Sequence, residues 1–326
     1  MTRRRWVVVL VMAAAVSLLG VVGTLRLSGR TPQPLDVVVV LKATSAQMEF
    51  WEVVEQGIAV AARETQVKVR TVGPSFEHEI DEQVAIVNRA IDARPDGIVL
   101  AASDYYRLAD AVARAAEAGI PVVTVDSDVN GAREASFVGT GNFEAGRRAA
   151  REMLARVGPD VRVAIVSHVP GVATAIERER GVRAVLAAES NIAPAGPFYA
   201  YNDEQRAEAI VEHLQRPGAG IGGIVTLNET STVGVGRALE ERGLVDRMVL
   251  VGFDASKEEI ELLERDTLQA LVVQKPFNMG YLALHAIADT IRGRSVPDNI
   301  DTGIEVVTAE NMFSEPIQRL IFPIVR

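Results

Sequence analysis

Apolar residues along this chain follow two alternating patterns. Short continuous runs, such as DVVVVL over Asp36–Leu41, are typical of strands that are buried on both faces of a sheet. Between these runs lie longer stretches in which apolar residues recur with the period of a helix. Short buried runs that alternate with amphipathic helices predict βαβ units and parallel sheets.

The pattern runs along the chain from Asp36 and restarts near its middle. The predicted strands are Asp36–Leu41, Val67–Val72, Ile98–Ala102, Val122–Val125, Val161–Ser167, Ile224–Leu227, Met248–Phe253 and Leu271–Val273. The predicted helices are Glu52–Thr65, Asp81–Ala93, Leu108–Ala118, Phe143–Val157, Ala173–Glu189, Asp203–Gln215 and Ser231–Arg242. We therefore expect an α/β protein with two doubly wound parallel-sheet lobes that face each other.

A different kind of apolar segment precedes this alternation. Trp6–Leu25 is an almost unbroken apolar run behind three arginines, and it is about as long as a membrane-spanning helix of roughly 20 residues. The arginines favour a cytoplasmic N-terminus. We expect an N-terminal hydrophobic helix that anchors the chain, with Arg26–Pro34 as a short linker. A cleaved signal peptide is the alternative, although Val21–Gly23 offers only a weak cleavage site.

Composition excludes several classes of function. The 326 residues include no cysteine, which rules out disulfides, thiolate zinc sites, cysteine nucleophiles and a lipidated cysteine. The net charge is −9, and the first 30 residues hold five arginines and no acid, so the rest of the chain carries −14. Such an acidic domain is a poor nucleic-acid binder. The four histidines are scattered, and we expect no metal site and no cofactor.

Polar side chains follow the predicted strands in both halves of the chain. Ligands of doubly wound sheets bind beyond the carboxyl ends of the strands, and these ends carry Asp126, Asn228, Asp254 and Gln274. Carboxylates and amides bond neighbouring hydroxyl groups well, because they accept several hydrogen bonds or both donate and accept. Helix capping is the simpler explanation of any single one of them. Their recurrence in both halves favours one ligand site.

Three further side chains complete the predicted site. Arg178 lies in the helix after Val161–Ser167 and can donate to two hydroxyl groups at once. Phe50 and Trp51 lie at the start of the first helix, where their rings suit the C–H faces of a sugar. Few polar groups among apolar walls are typical of small-molecule sites.

With these residues in place, the chain resembles the periplasmic ribose-type sugar-binding proteins, whose fold is also that of the effector domains of sugar-responsive repressors. The resemblance covers nearly all of Asp36–Val325. It is carried by Glu49–Gly57, Pro95–Ala102, Gly119–Asp128, Ala173–Gly181, Leu227–Leu239, Val249–Ser256, Val272–Gly280 and Asn299–Asn311.

The resemblance implies roles for particular residues. It assigns the sugar-contacting positions to Phe50, Trp51, Asp126, Arg178, Tyr201, Asn228, Asp254 and Gln274. Two positions depart from ribose binders, which have an arginine where this chain has Ser127 and an asparagine where it has Met48. Ribose itself is therefore in doubt, whereas a pentose, another monosaccharide or a polyol fits. Lys42 offers a different donor, but we expect it to be a solvated surface lysine.

The resemblance also implies a domain organisation and a function. A hinge of several strands is expected to join an N-terminal lobe of residues 35–140 plus 275–302 to a C-terminal lobe of residues 141–274 plus 303–326, after an anchor or signal and linker over 1–34. We expect an extracytoplasmic binding protein, not an enzyme, that closes around a small carbohydrate for an ABC permease. The alternative partner is a histidine kinase that reads a membrane-tethered sugar sensor.

Overall fold

A computed structural model describes residues 34–44, 48–131 and 133–322 of the chain. In chain order its strands are β1 (Leu35–Val40), β2 (Val67–Val72), β3 (Gly97–Leu100), β4 (Val122–Val125), β5 (Ser136–Gly139), β6 (Val161–Ser167), β7 (Ile192–Tyr199), β8 (Ile221–Thr226), β9 (Val249–Phe253), β10 (Ala270–Val273), β11 (Asn299–Asp301) and β12 (Glu305–Val307). Its helices are α1 (Glu49–Thr65), α2 (Ile80–Asp92), α3 (Ala109–Glu117), α4 (Asn142–Leu154), α5 (Ala173–Leu186), α6 (Glu204–Leu214), α7 (Glu229–Glu241), α8 (Lys257–Glu264), α9 (Pro276–Ile291) and α10 (Glu315–Ile321).

Two sheets with the same strand order organise these elements. The first has the order β2-β1-β3-β4-β5-β11 and the second has the order β7-β6-β8-β9-β10-β12. In the first sheet β1, β3, β4, β5 and β11 run parallel. Each sheet is built on four-residue or longer apolar runs that are almost completely buried, such as Val37–Val40 in β1. The predicted α/β fold with two parallel-sheet lobes is confirmed.

The second sheet differs from the prediction at one edge. Strands β6 to β10 run parallel, but β12 pairs antiparallel with β10 through Leu271 opposite Val307. Strand β12 is reached directly from β11 of the first sheet over residues 302–304, so no helical crossover within the second sheet sets its direction.

The chain passes between the two sheets three times. It crosses between β5 and α4, between β10 and α9, and between β11 and β12. The packing of the helices locates the first two crossings, since α4 packs on the second sheet and α9 packs on α1 and the first sheet. Glycines let α1 and α9 approach closely. A Cβ atom on Gly57 would lie 2.1 Å from the Phe277 carbonyl oxygen, and one on Gly280 would lie 2.0 Å from that of Val54.

The predicted hydrophobic helix over Trp6–Leu25 lies outside the described residues. Among the residues that the structure does describe, none of the helices combines the length and the apolar character that a membrane span needs.

Candidate functional site

The carboxyl ends of the strands of both sheets converge on one cavity that is lined almost entirely by buried side chains. Seven of the eight side chains predicted from the sequence line it. The full lining is Lys42, Met48, Phe50, Trp51, Glu77, Asp126, His168, Thr174, Arg178, Asn228, Asp254 and Gln274.

An aromatic pair forms one wall of the cavity. Phe50 and Trp51 occupy the first turn of α1 and meet edge to face, with ring centroids 5.0 Å apart and an interplanar angle of 87°. Both are buried, and within the described structure Trp51 Nε1 has no hydrogen-bond partner. The wall therefore offers apolar faces together with one free N–H donor, a combination that suits a ring bearing hydroxyl groups.

A buried ion triad of Lys42, Glu77 and Asp126 also lines the cavity. Lys42 Nζ lies 2.7 Å from Asp126 Oδ2 and 3.4 Å from Glu77 Oε1, and the three side chains are only 3–5% exposed. The prediction that Lys42 is a solvated surface lysine is wrong. Lys42 comes just after the end of β1, so the fold places it at the same sheet edge as Asp126, and the two acids compensate the burial of its ammonium group.

Asp126 and Asp254 occupy equivalent places in the two sheets. Asp126 follows β4 and Asp254 follows β9, and both have left-handed backbones, with φ of 62° and 80°. Non-glycine residues adopt this conformation rarely, and Asp and Asn do so most readily. A left-handed residue directly after each strand turns the chain at the rim of the cavity, and a short polar side chain is the type that tolerates it.

Arg178 is held by two contacts within the second lobe. Its Nε donates to Asn142 Oδ1 and one terminal nitrogen donates to the Leu227 carbonyl, both over 2.8 Å. Gly146 permits the close approach of α4, since a Cβ there would lie 2.1 Å from the Arg178 carbonyl oxygen. The other terminal nitrogen, NH2, is buried and has no partner within the described structure. Burial lowers the pKa of Arg178, while Asp254 and other nearby carboxylates oppose that shift.

A chain of hydrogen bonds links Asp254 to the crossing between the lobes. Gln274 Nε2 donates to Asp254 Oδ1 over 2.6 Å, and Thr140 Oγ1 donates to Gln274 Oε1 over 3.0 Å. The backbone N–H of Glu229 donates to the other oxygen of Asp254 over 3.1 Å. Burial raises the pKa of Asp254, and Arg178 opposes it. Gln274 is thereby fixed between Asp254 and Thr140, next to the crossings of the chain from one sheet to the other.

Asn228 caps the start of helix α7 and also bonds a side chain across the cavity rim. Its Oδ1 accepts from the Ser231 N–H at the start of α7, and its Nδ2 donates to Asn202 Oδ1 over 2.8 Å. Asn202 in turn donates to Glu77, which belongs to the first lobe. A polar path thus runs across the cleft from Asn228 to Glu77.

Tyr201 does not line this cavity. Its side chain is 37% exposed and lines a separate outer cavity with Phe76 and His78. The adjacent residue, Asn202, is the one that bonds toward the cleft. Tyr201 therefore stands apart from the other predicted site residues.

Five of the lining residues were not predicted as site residues: Lys42, Met48, Glu77, His168 and Thr174. Asn202, which bonds Asn228 and Glu77 without lining the cavity, was not predicted either. His168 comes directly after β6, so it could have been predicted in the same way as the other residues that follow strands. Burial lowers the pKa of His168 well below its usual value, with Lys42 adding to the effect, so the ring is neutral and its Nε2 lies 3.3 Å from Thr174 Oγ1. Glu77 and Asn202 lie in loops, where the sequence carries no comparable signal.

The described residues contain no group of three or more His, Asp or Glu side chains arranged to hold a metal ion. The cavity instead presents an aromatic wall, fixed carboxylates and amides, and free nitrogen donors on Trp51 and Arg178. Chemically, this arrangement can surround a small polyhydroxylated molecule with donors and acceptors and exclude water from it.

Comparisons with known proteins agree with this geometry. A family model described as a periplasmic binding protein domain matches residues 37–295. The ribose import binding protein RbsB of Bacillus subtilis is 24% identical to this chain over 268 residues, which are 82% of this chain and 86% of that protein.

Solved structures are similar over almost their whole length. An ABC transporter solute binding protein from Agrobacterium vitis, with bound D-fucose, is 30% identical and has a TM-score of 0.84, covering 88% of this chain and 100% of that one. A carbohydrate transporter solute binding protein from Agrobacterium radiobacter, in complex with D-arabinose, is 26% identical with a TM-score of 0.84, covering 89% of this chain and 100% of that one.

Proposed function

This chain belongs to the family described as a periplasmic binding protein domain, and from that premise we propose that it is an extracytoplasmic protein that closes around a small carbohydrate and delivers it to an ABC importer. The ligand is a pentose, another monosaccharide or a polyol. The relatives named above support the proposal, because their names or bound ligands refer to ribose, D-fucose and D-arabinose and to sugar import.

One observation carries the proposal. Side chains from both lobes line one cavity, and two nitrogen donors in it, on Trp51 and Arg178, lack partners within the described structure. Buried polar groups in proteins are nearly always hydrogen-bonded. A ligand with several hydroxyl groups provides the missing acceptors and completes the site.

We assign the predicted residues roles in this binding. Phe50 and Trp51 pack against the faces of the sugar, and Asp126 and Asp254 accept from its hydroxyl groups. Arg178 donates to the ligand through its free NH2. Asn228 and Gln274 contribute amide groups: the first bridges toward the other lobe and the second orients Asp254 from the hinge side. Tyr201 lies on the outer rim and contributes only when the ligand extends beyond the cavity.

The two lobes are the moving parts in this proposal. The N-terminal lobe comprises residues 35–140 plus 275–302, and the C-terminal lobe comprises 141–274 plus 303–326, with the three crossings as the hinge. Closing about the hinge brings the strand ends together and excludes water, which strengthens the polar contacts with the ligand. The protein binds and releases its ligand without chemical change.

We further propose that residues 6–25 anchor the protein in the cytoplasmic membrane, with the binding lobes on its outer face. Mass spectrometry of the protein isolated from cells tests this. An intact N-terminus supports the anchor, whereas a mature chain that begins near Thr24 or later shows a cleaved signal peptide. The names of the relatives refer to import and transport, so they support an importer as the partner and not a histidine kinase.

Binding itself is tested by thermal shift and titration calorimetry against D-ribose, D-arabinose, D-fucose and polyols. A ligand that binds only the folded protein raises the melting temperature. The Asp254→Asn variant is expected to bind the best sugar about 5- to 30-fold more weakly, because a bond to a charged acceptor is replaced by a neutral one. Asp266→Asn is the matched control, since Asp266 is also left-handed, with φ of 57°, but exposed. No shift with any sugar or polyol would overturn the proposal.

A further inference from the structure

The N-terminus of α1 has its hydrogen-bond acceptor in the other lobe. Met48, which precedes α1, provides no side-chain cap for the free N–H groups of the first turn. Glu229, at the start of α7, provides it instead. Glu229 Oε1 accepts from the Glu49 N–H over 3.1 Å, and Oε2 accepts from the Phe50 N–H over 3.3 Å. A carboxylate of the second lobe thus holds the helix end that carries the aromatic wall of the first.

The contact is reciprocal. The Glu49 side chain accepts from the Lys257 N–H at the start of α8, over 3.2 Å, so each lobe caps a helix of the other. The two helices differ in what they keep when the lobes separate. Helix α8 has its own capping box, formed by Ser256 and Glu259, whereas α1 has no such acceptor in Met48. The bond from Glu229 is therefore the cap on which α1 depends.

The charges around Glu229 make this contact sensitive to protons. Glu229 is 5% exposed, and the charged groups that face it are the carboxylates of Asp254 after β9, Glu49 in α1 and Glu259 in α8. Burial, followed by the charge of Asp254, raises the pKa of Glu229 to about 8, although the two N–H groups of α1 act in the opposite direction. Separation of the lobes exposes Glu229 to water and removes the main cause of this shift.

We propose that Glu229 is a positioning residue for ligand capture, which clamps the closed cleft by capping α1 across the lobes and takes up one proton from solvent as the cleft closes. This inference rests on the proposed function, because it gives Glu229 a part in closing around a sugar. The sign follows from the shift. A carboxyl whose pKa is higher in the closed form favours closing at low pH, and this advantage is lost as the pH rises toward 8.

Titration calorimetry with D-ribose, D-arabinose and D-fucose tests the clamp between about pH 5.5 and pH 7.5. If closing around the ligand takes up one proton, wild-type affinity falls by up to about tenfold for each unit by which the pH rises. Glu229→Gln keeps an acceptor but does not titrate. It is expected to retain affinity at low pH, and its affinity should fall less steeply with rising pH, by up to about tenfold less per pH unit. Glu229→Ala is expected to bind weakly throughout. Glu55→Gln, an exposed position on α1, is expected to keep the wild-type slope. An unchanged slope in Glu229→Gln would overturn the clamp.

A second measurement does not depend on any sugar. Because the chain has no cysteine, Ala59→Cys on α1 and Ala209→Cys on α6 provide two unique, exposed sites for spin labels, one in each lobe. Without ligand, the short-distance population is expected to fall from about pH 5.5 to pH 7.5 in the wild-type background and to fall less with Glu229→Gln. Equal pH responses in both would refute the clamp. If no sugar binds but the distances behave as expected, the proposed ligand is wrong and the clamp stands.

Discussion

Replacement of Lys42 by methionine provides a sharp test of the buried triad. Lys42→Met keeps the length of the side chain but removes its charge, and it leaves Asp126 and Glu77 without their cation at sites that are 5% and 4% exposed. Loss of one partner from a buried ion pair costs about 3–5 kcal/mol, because an uncompensated charge remains in the interior. All three residues belong to the first lobe, so we expect the free energy of unfolding to fall by about this amount.

Urea denaturation followed by circular dichroism measures the change. Lys257→Met is the matched control: its ammonium group is 78% exposed and lies 3.7 Å from Glu261, so its loss is expected to cost less than about 1 kcal/mol. A second substitution, Asp126→Asn, is expected to restore part of the stability of Lys42→Met, because it removes one of the unpaired charges. Asparagine tolerates the left-handed backbone at this position, where φ is 62°.

Two results would refute this reasoning. A Lys42→Met protein that is as stable as the Lys257→Met control would show that the triad carries no buried-charge cost. A double variant, Lys42→Met with Asp126→Asn, that is less stable than Lys42→Met alone would show that charge compensation is not what the lysine provides.

The other predictions concern the site, the packing of the helices and pH. Arg178→Lys keeps the charge, but its three donors sit on one nitrogen atom and cannot reproduce the planar fork that bonds Asn142, the Leu227 carbonyl and the ligand together. Calorimetry should therefore show sugar affinity reduced by at least about tenfold, and wild-type affinity would contradict the assignment. Gly57→Ala places a methyl group against the Phe277 carbonyl and should destabilise the fold by about 1–3 kcal/mol in urea, whereas Gly158→Ala, with nothing within 4 Å, should not. Burial, with smaller effects of neighbouring carboxylates, raises the pKa of Glu259 well above its usual value, so ionisation of Glu259 destabilises the folded protein as the pH rises. Glu259→Gln, which cannot ionise, should raise the melting temperature more at about pH 8 than at about pH 5, and equal shifts would refute this.

The fold could be predicted largely from hydrophobic pattern. Strands buried on both faces have no polar residues to interrupt them, and the predicted bounds of Val67–Val72, Val122–Val125 and Val161–Ser167 agree with the structure. The edge strand β7 was missed because Pro194 and Pro197 interrupt its pattern. A proline lacks the N–H group that a central strand needs, but an edge strand has one side free of that need.

The candidate site could be predicted as far as it follows the strand ends. Asp126, Asn228, Asp254 and Gln274 come directly or almost directly after strands, and the topology alone brings them to one cavity. The rest depends on details that spacing does not fix. Spacing and residue type favoured Tyr201 over Asn202 as a ligand contact, yet Tyr201 lies on the outer rim and Asn202 bonds toward the cleft.

The burial of Lys42 was missed for a related reason. A lone lysine in a sequence is usually solvated, because its ammonium group is costly to bury. That cost is offset here by Glu77 and Asp126, which lie 35 and 84 positions further along the chain. No local pattern connects these three positions, so only the folded lobe reveals that the charges compensate one another.

Charge compensation within each lobe is consistent with the opening and closing that we propose. Asp126 pairs with the cation Lys42, which lies in the same lobe. Asp254 accepts a hydrogen bond from Gln274 and lies near the guanidinium of Arg178, and both of these residues belong to the second lobe. Separation of the lobes therefore leaves neither aspartate without its partners. The contacts broken on opening include those of Glu229 with α1, which water can replace. Since a typical hydrogen bond contributes only about 0.5–1.5 kcal/mol net, we expect that several contacts of a ligand with both lobes are enough to decide which of the two proposed forms is populated.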